Sequence, residues 1–402
     1  MLRTALLLAL LQVFFLFNSL NVKAEELIAL KKERVNPQRL EKHLLKRNIY
    51  FKNKADLESS DLSFDILKIE TGANLDSVVN DLNKTGLFKL VEPNYKLYPD
   101  NEIVSKPAKK TLQYYLDQIK VPNAWIFSKG SGNIPIAVLD SGIDYLNKDL
   151  AERILPCISV LEGSYSCEDK FGHGTQVASI IASKVDNNLG LAGISWLNPI
   201  LPIQVSNEEG IATVETVVKG LDYAIKSKSK IAVISLSTDV KSEILGLAIK
   251  EAYQKGILII ASGGNTGKSE IRYPAGFDEV IGVGSVNSNL EKSVFSTTGP
   301  HIKLVAPGEG IILPVLSSKE KEDSNYFDEV SGTSFTAPQV AGVAALVWAL
   351  RPNYENTDIK KILFSSVKDL GKAGYDTSFG YGQIDAEVAV KRVLLKYEKR
   401  EK

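Results

Sequence analysis

Hydrophobic patterning divides the chain into two textures. In residues 27–98 short apolar stretches are interleaved with charge. Residues 27–30 and 64–69 predict strands, and residues 88–91, continued by 95–98, predict a last one. Leu40, Leu44 and Leu45 follow Pro37 at helical spacing, as do Leu75, Val78, Val79 and Leu82. The order is βαββαβ-like, one strand short of it, and points to the split arrangement of a small α+β, ferredoxin-like domain over residues 25–98.

Beyond about residue 111 the texture changes. Largely apolar runs at residues 136–139, 231–236, 257–261 and 280–283 alternate with helical patterns at 174–183, 213–226, 242–255 and 336–350. Strands apolar on both sides belong in a parallel sheet covered on both faces, because neither side of such a strand meets water. The expected fold class is therefore α/β: a doubly wound, mostly parallel sheet with helices on both faces, preceded by the small α+β domain. Residues 99–111 carry Lys106-Pro107-Ala108-Lys109-Lys110 and read as an exposed linker. Residues 112–395 form the larger domain, and 396–402 a charged, frayed tail.

Arg3 precedes an apolar stretch from Ala5 to Leu11, resumed from Val13 to Phe17, and Ala24 offers a small residue before Glu25 and Glu26. Residues 1–24 read as a signal peptide. A membrane anchor is the competing reading, but the run is shorter than the ~20 residues a spanning helix needs. Neither Cys lies near the cleavage site, so no lipid-modified Cys holds the mature chain to a membrane. The expectation is a secreted or periplasmic protein with no stable membrane anchor.

Composition adds exclusions. Among 402 residues Lys+Arg number 48 and Asp+Glu 48, with 44% hydrophobic residues. That is the profile of a soluble globular protein, and without a long-range field nucleic acid is not an expected partner. The 2 Cys are too few for a Cys-rich zinc site. His43 sits in a charged helix and reads as a solvated residue, and His301, beside Pro300, as a surface-loop histidine.

Nucleophilic acyl transfer needs a hydroxyl, an imidazole to take its proton, a carboxylate to orient the imidazole, and donors for the oxyanion. In doubly wound proteins such groups sit at the carboxyl ends of strands. Asp140 ends the apolar run in Ala137-Val138-Leu139-Asp140-Ser141-Gly142. His173 lies in Gly172-His173-Gly174-Thr175, just before a helix. Ser334, in Ser331-Gly332-Thr333-Ser334-Phe335-Thr336-Ala337-Pro338, opens another apolar helix whose dipole favours developing negative charge. Asn265, in Ser262-Gly263-Gly264-Asn265, follows a strand and offers an amide donor. Singly, Asp140, Ser334 and Asn265 are ordinary cap or turn residues.

Together, in the order Asp, His, Asn, Ser, these motifs resemble the subtilisin-like serine proteases from about Thr111 to Lys391. The order Asp, His, Ser is that of subtilisin itself, so it is a resemblance and not a derivation. The resemblance implies Asp140 as orienting carboxylate, His173 as general base, Ser334 as nucleophile, and Asn265 with the Ser334 N–H as oxyanion donors. It also implies peptide or protein substrates, a monomer, no organic cofactor, and an inhibitory propeptide over residues 25–98 removed at a site in 99–111. The alternative is a catalytically silent member that binds peptides on the same scaffold. An α/β-hydrolase esterase would need a G-x-S-x-G elbow, and Thr336 stands where the second Gly belongs.

By the same resemblance, Ser235, Leu236 and Ser237 pair with substrate and wall its main pocket, and Ala261, Ser262 and Gly263 form the opposite wall. The family usually has Gly where Ser237 stands, and often Met where Phe335 stands. Asp149 with Val185, Asn187, Leu189 and Leu191 resembles the family's structural Ca2+ site. The alternative there is an Asn-rich turn closed by its own hydrogen bonds. Cys157 and Cys167 suit a disulfide closing a surface loop in an exported protein, or remain two buried thiols.

Overall fold

The computed structural model describes residues 26–32, 35, 37–47, 49–57, 59, 62–69, 74–100, 113–164, 166–187, 190–316 and 327–398. The expected signal peptide, most of the expected linker and Leu189 lie outside the described residues. The chain divides into two units: residues up to Ala55 with Phe64–Tyr95, and Asp56–Ser63 with everything from Lys96.

In the first unit β1 (Glu26–Lys31), α1 (Pro37–Leu45), β2 (Ile49–Asp56), β3 (Ser63–Ile69), α2 (Leu75–Thr85) and β4 (Phe88–Pro93) follow in βαββαβ order. The sheet order is β2-β3-β1-β4, with β1 antiparallel to both β3 and β4. Leu27, Ala29, Leu67 and Val91 of the sheet close on Leu44 and Leu82 of the helices. α2 starts where the Asn74 side chain accepts the Ser77 N–H at 2.9 Å, and it stops at Gly86, whose φ of 65° suits a residue without Cβ. The hydrophobic pattern does not locate β2. Its apolar residues cluster at its start, Ile49, Tyr50 and Phe51; it is an edge strand, where a charge such as Lys52 guards against pairing with other chains. Residues 95–98 do not continue β4. The chain turns at Pro93, whose carbonyl accepts the Tyr95 N–H at 2.9 Å, and residues 96–98 group with the second unit.

From Lys96 the second unit runs through β5 (Lys96–Pro99), followed among the described residues by α3 (Tyr114–Gln118), α4 (Val121–Ala124), β6 (Ile136–Asp140), β7 (Ile158–Ser159) and α5 (His173–Ala182). Next come β8 (Ile200–Gln204), β9 (Ala212–Thr213), α6 (Val214–Lys226), β10 (Ile231–Ile234), β11 (Leu236–Ser237), α7 (Glu243–Gln254), β12 (Leu258–Ser262) and β13 (Ile281–Val286). After them lie β14 (Ile302–Pro307), β15 (Ile311–Pro314), β16 (Phe327–Val330), α8 (Ala337–Leu350), α9 (Asn356–Phe364), β17 (Val367–Lys368), β18 (Gln383–Ile384) and α10 (Ala386–Glu398).

Nine of these strands form one sheet in the order β17-β18-β14-β13-β12-β10-β6-β8-β7. Neighbours run parallel except β17 against β18. Ile136 and Val138 of β6, Val233 of β10 and Ile260 of β12 share a core with α5 and α8. Leu139 faces the other way, where Gly220 of α6 comes so close that a Cβ would lie 3.0 Å from its Cδ2. Helices therefore cover both faces, as strands apolar on both sides require. Residues 333–350 are apolar and long enough to cross a membrane, yet 89% of that stretch is buried as core. Sequence reasoning overlooked β8 and β14, where Pro202, Lys303 and Pro307 interrupt the apolar signal. The expected tail is shorter than supposed, because α10 continues to Glu398.

Candidate active site

Asp140 is the last residue of β6 and His173 the first of α5, and both are almost fully buried. The imidazole Nδ1 lies 2.8 and 3.0 Å from the two Asp140 carboxylate oxygens. Two glycines permit this approach. Gly172 caps α5 at φ 97°, and a Cβ on Gly174 would fall 2.4 Å from the Gly142 carbonyl oxygen. A further carboxylate, which sequence reasoning missed, braces the turn. Asp169 Oδ1 accepts from Ser141 Oγ, Phe171 N and Gly172 N at 2.8, 3.1 and 2.6 Å, and Oδ2 accepts from Thr175 N and Oγ1 at 2.8 and 2.7 Å. The signal for it was local: an Asp just ahead of a helix is the residue type that receives the first orphan N–H groups.

Ser334 is buried in the single turn 333–335 that leads into α8, and α5 packs on this turn. The Phe335 ring lies 5.7 Å from the imidazole, centroid to centroid. Ser334 Oγ donates to the Ser235 carbonyl at 3.1 Å, and Ser235 Oγ donates to the Ser334 carbonyl at 2.9 Å. Asn265 reaches the same turn. Its carbonyl oxygen accepts Thr333 N and Oγ1 at 2.9 and 2.8 Å, and its Nδ2 lies against Gly332, where a Cβ would sit 3.0 Å away. Asp140, His173, Asn265 and Ser334, from four separate segments, thus converge at one end of the sheet.

β5 lies between two strands near this site. It pairs antiparallel with β11, Pro99 opposite Leu236 and Tyr98 opposite Ser237, and with β9, Leu97 opposite Ala212. The next residue, Asp100, is buried, although the sequence placed it in an exposed linker. The apolar run 231–236 is broken at Ser235, which frees β11 from the main sheet to pair there. Ala261 and Ser262 end β12 beside it. Gly263 follows β12, and a Cβ there would strike Ile302 Cδ1 at 2.5 Å and the Val283 carbonyl oxygen at 2.9 Å, so packing against β13 and β14 by itself requires a glycine.

Comparison with known proteins gives the family. Residues 131–382, more than half the chain, match the model of the subtilase family. The chain belongs to the subtilase family. It is 30% identical to the thermophilic serine proteinase of Bacillus sp. (strain AK1) over 91% of this chain and 87% of that one. Thermitase of Thermoactinomyces vulgaris is 31% identical over 69% of this chain and 95% of its own. The minor extracellular protease Epr of Bacillus subtilis (strain 168) is 34% identical over 68% of this chain, which spans 41% of that longer protein. This subtilase is accordingly a serine-type endopeptidase acting on peptide or protein substrates.

The loop resembling the family's calcium site is closed on itself. Asp149 Oδ1 accepts from Asn187 Nδ2 at 2.7 Å and Oδ2 from Leu191 N at 2.9 Å, and burial raises the carboxyl above its ordinary pKa. These bonds hold Asp149 within the loop; the groups implied as ligands at Val185 and Leu191 are carbonyl oxygens, on which these bonds do not bear, and Leu189 lies outside the described residues. Among the described residues no cluster of three or more His, Cys, Asp or Glu stands at metal-binding distance. Cys157 and Cys167 are joined in a disulfide, Cα to Cα 6.0 Å. Two histidine expectations are corrected. His301 is buried, its Nε2 2.9 Å from the Gly263 carbonyl, and His43 is half-buried on α1 rather than solvated.

Proposed function

We propose that this subtilase is an exported zymogen that processes itself, with Asp140, His173, Ser334 and Asn265 as its chemical machinery. The observation that carries the proposal is the two-point contact of Asp140 on His173 Nδ1 beside the Ser334 turn. A carboxylate on Nδ1 fixes the tautomer in which Nδ1 carries the proton, so Nε2 is the basic nitrogen and takes the Ser334 proton during attack on a peptide carbonyl. The imidazolium formed is stabilised by Asp140 and returns the proton to the leaving amine. The acyl group remains on Ser334 until water repeats the sequence. Thr333 ties down the Asn265 carbonyl, which directs the Asn265 amide N–H, with the Ser334 N–H, to the oxyanion.

The antiparallel seat of β5 between β9 and β11 is how an extended substrate adds a strand to a sheet edge. It supports residues 25–98 as a propeptide whose tail fills the cleft and blocks it until cleaved. The N-terminal pattern of residues 1–24 supports export.

Labelling with a fluorophosphonate tests the chemistry. The processed protein takes one label and Ser334→Ala none; an unlabelled protein with an accessible, folded site is instead the silent peptide binder. Mass spectrometry tests processing. Ser334→Ala stays full length after signal removal, and residues 25–98 added separately inhibit the mature enzyme; an active protein still covalently carrying them refutes the propeptide.

A further inference from the structure

Asp100 is a carboxylate where the chain has just left β5, and its side chain does not turn to solvent. Its Oδ1 accepts from Ser237 Oγ at 2.6 Å, and its Oδ2 lies 3.3 Å from Thr333 Oγ1, one residue before Ser334. Ser237 Oγ in turn accepts from Arg272 Nε at 3.3 Å and Nη2 at 3.2 Å. A hydroxyl has one hydrogen. With its lone pairs facing a guanidinium, the Ser237 hydrogen points at Asp100, so cation, hydroxyl and carboxylate form a polarised chain. The Thr333 hydrogen has a nearer acceptor in Asn265 Oδ1 at 2.8 Å, which leaves Ser237 as the main holder of Asp100.

The wall opposite Ser237 is built to admit the arginine. Gly264 has φ +100°, and a Cβ there would lie 2.5 Å from Arg272 Cγ. Any side chain at Gly264 would displace Arg272 from the space between the two walls. Glu270 approaches the other edge of the guanidinium, Nη1 to Oε1 3.8 Å, and is itself a third exposed, so it satisfies the outer side and leaves the inner side for the buried carboxylate. His301, under the Gly263 carbonyl, is the remaining titratable neighbour, and burial lowers its pKa and favours its neutral form.

We propose that this subtilase selects an acidic residue, aspartate or glutamate, immediately before the scissile bond, through Ser237 backed by Arg272, and that in its own chain this residue is Asp100, placing self-cleavage at the Asp100–Asn101 bond. The inference rests on the protease reading above and adds its substrate class. An apolar side chain in the same pocket leaves the Ser237 hydroxyl and the inner guanidinium edge desolvated and unmatched, the kind of loss that gives strong discrimination. A lysine meets the guanidinium with like charge.

The test uses the processed enzyme and fluorogenic peptides Lys-Leu-Tyr-Pro-Xaa, where Xaa is Asp, Glu, Asn, Leu, Phe or Lys. Asp or Glu is expected to exceed Leu and Phe in kcat/KM by about 100-fold. Arg272→Gln collapses that ratio toward unity while the fluorophosphonate labelling rate stays within a few-fold, which separates lost recognition from a damaged site; Arg272→Lys keeps part of the preference. In the intact chain the released fragment ends at Asp100, and Asp100→Leu slows its release. Leu or Phe cleaved as fast as Asp by an enzyme that labels normally overturns the acidic preference and leaves the protease standing. A fragment ending elsewhere overturns the assignment of Asp100. Absence of both labelling and cleavage overturns the protease reading itself.

Discussion

Asp169 is the residue whose replacement most directly tests how the fold holds His173. Its two oxygens accept five hydrogen bonds, and the side chain is 3% exposed. Asp169→Asn preserves shape and turns one acceptor into a donor. The amide oxygen keeps the three donors now on Oδ1, so the NH2 group faces Thr175 N and Oγ1. The Thr175 hydroxyl can rotate, since it also accepts the Asp144 N–H at 2.9 Å, but the Thr175 N–H is fixed at the start of α5 and meets another donor. One buried backbone donor left unpaired costs about 1–3 kcal/mol, and loss of the charge on the remaining bonds brings the expected loss to about 3 kcal/mol. Urea unfolding of Asp169→Asn in a Ser334→Ala background, where self-digestion is absent, reads this directly. In the active background the relaxed turn shifts His173 relative to Asp140, and displacement of the order of 1 Å lowers kcat by about 10²-fold with KM little changed. Unchanged stability within about 0.5 kcal/mol together with unchanged kcat refutes the bracing role.

Further outcomes follow from the same geometry. Replacing both Cys157 and Cys167 by Ser opens a loop of sequence separation 10 and is expected to cost about 3 kcal/mol by chain entropy, read as a lowered urea midpoint at unchanged m; no change shows that the loop is already ordered without the bond. His301 has a folded pKa below its unfolded value, chiefly through desolvation, so its contribution is present above the unfolded value near 6.5 and is lost as pH falls toward the folded one. Stability therefore declines on acidification below about pH 6.5, and His301→Gln flattens that part of the profile; an unchanged profile assigns the titration to another group. Chelation with EGTA is expected to leave Tm and activity unchanged, because Asp149 is already satisfied by Asn187 and Leu191; a fall in Tm shows that the loop rearranges around an ion. Asn265→Ala lowers kcat by about 10²–10³-fold, a figure belonging to subtilisin itself and carried over rather than worked from these distances; a loss confined to KM contradicts an oxyanion role.

The sequence by itself determined the class of architecture and which residues are candidates for the chemistry. Apolar runs such as Ile231-Ala232-Val233-Ile234 admit only a strand covered on both sides, and Asp140 and Asn265 follow such strands with glycines beside them. Those are local properties, set by side-chain size and backbone freedom. Edge strand β2 and the Pro-interrupted β8 escaped the same reasoning, because their pairing is decided by neighbours rather than by their own pattern. Tertiary structure alone decided the specificity pocket. Arg272 lies in a loop and belongs to no motif, Ser237 reads as a departure from the family's glycine, and Asp100 as part of a linker. Only when the strands set β5 against β11 and Gly264 makes room for the guanidinium do the three meet, and an arginine acquires a meaning only from the buried carboxylate placed within reach of it.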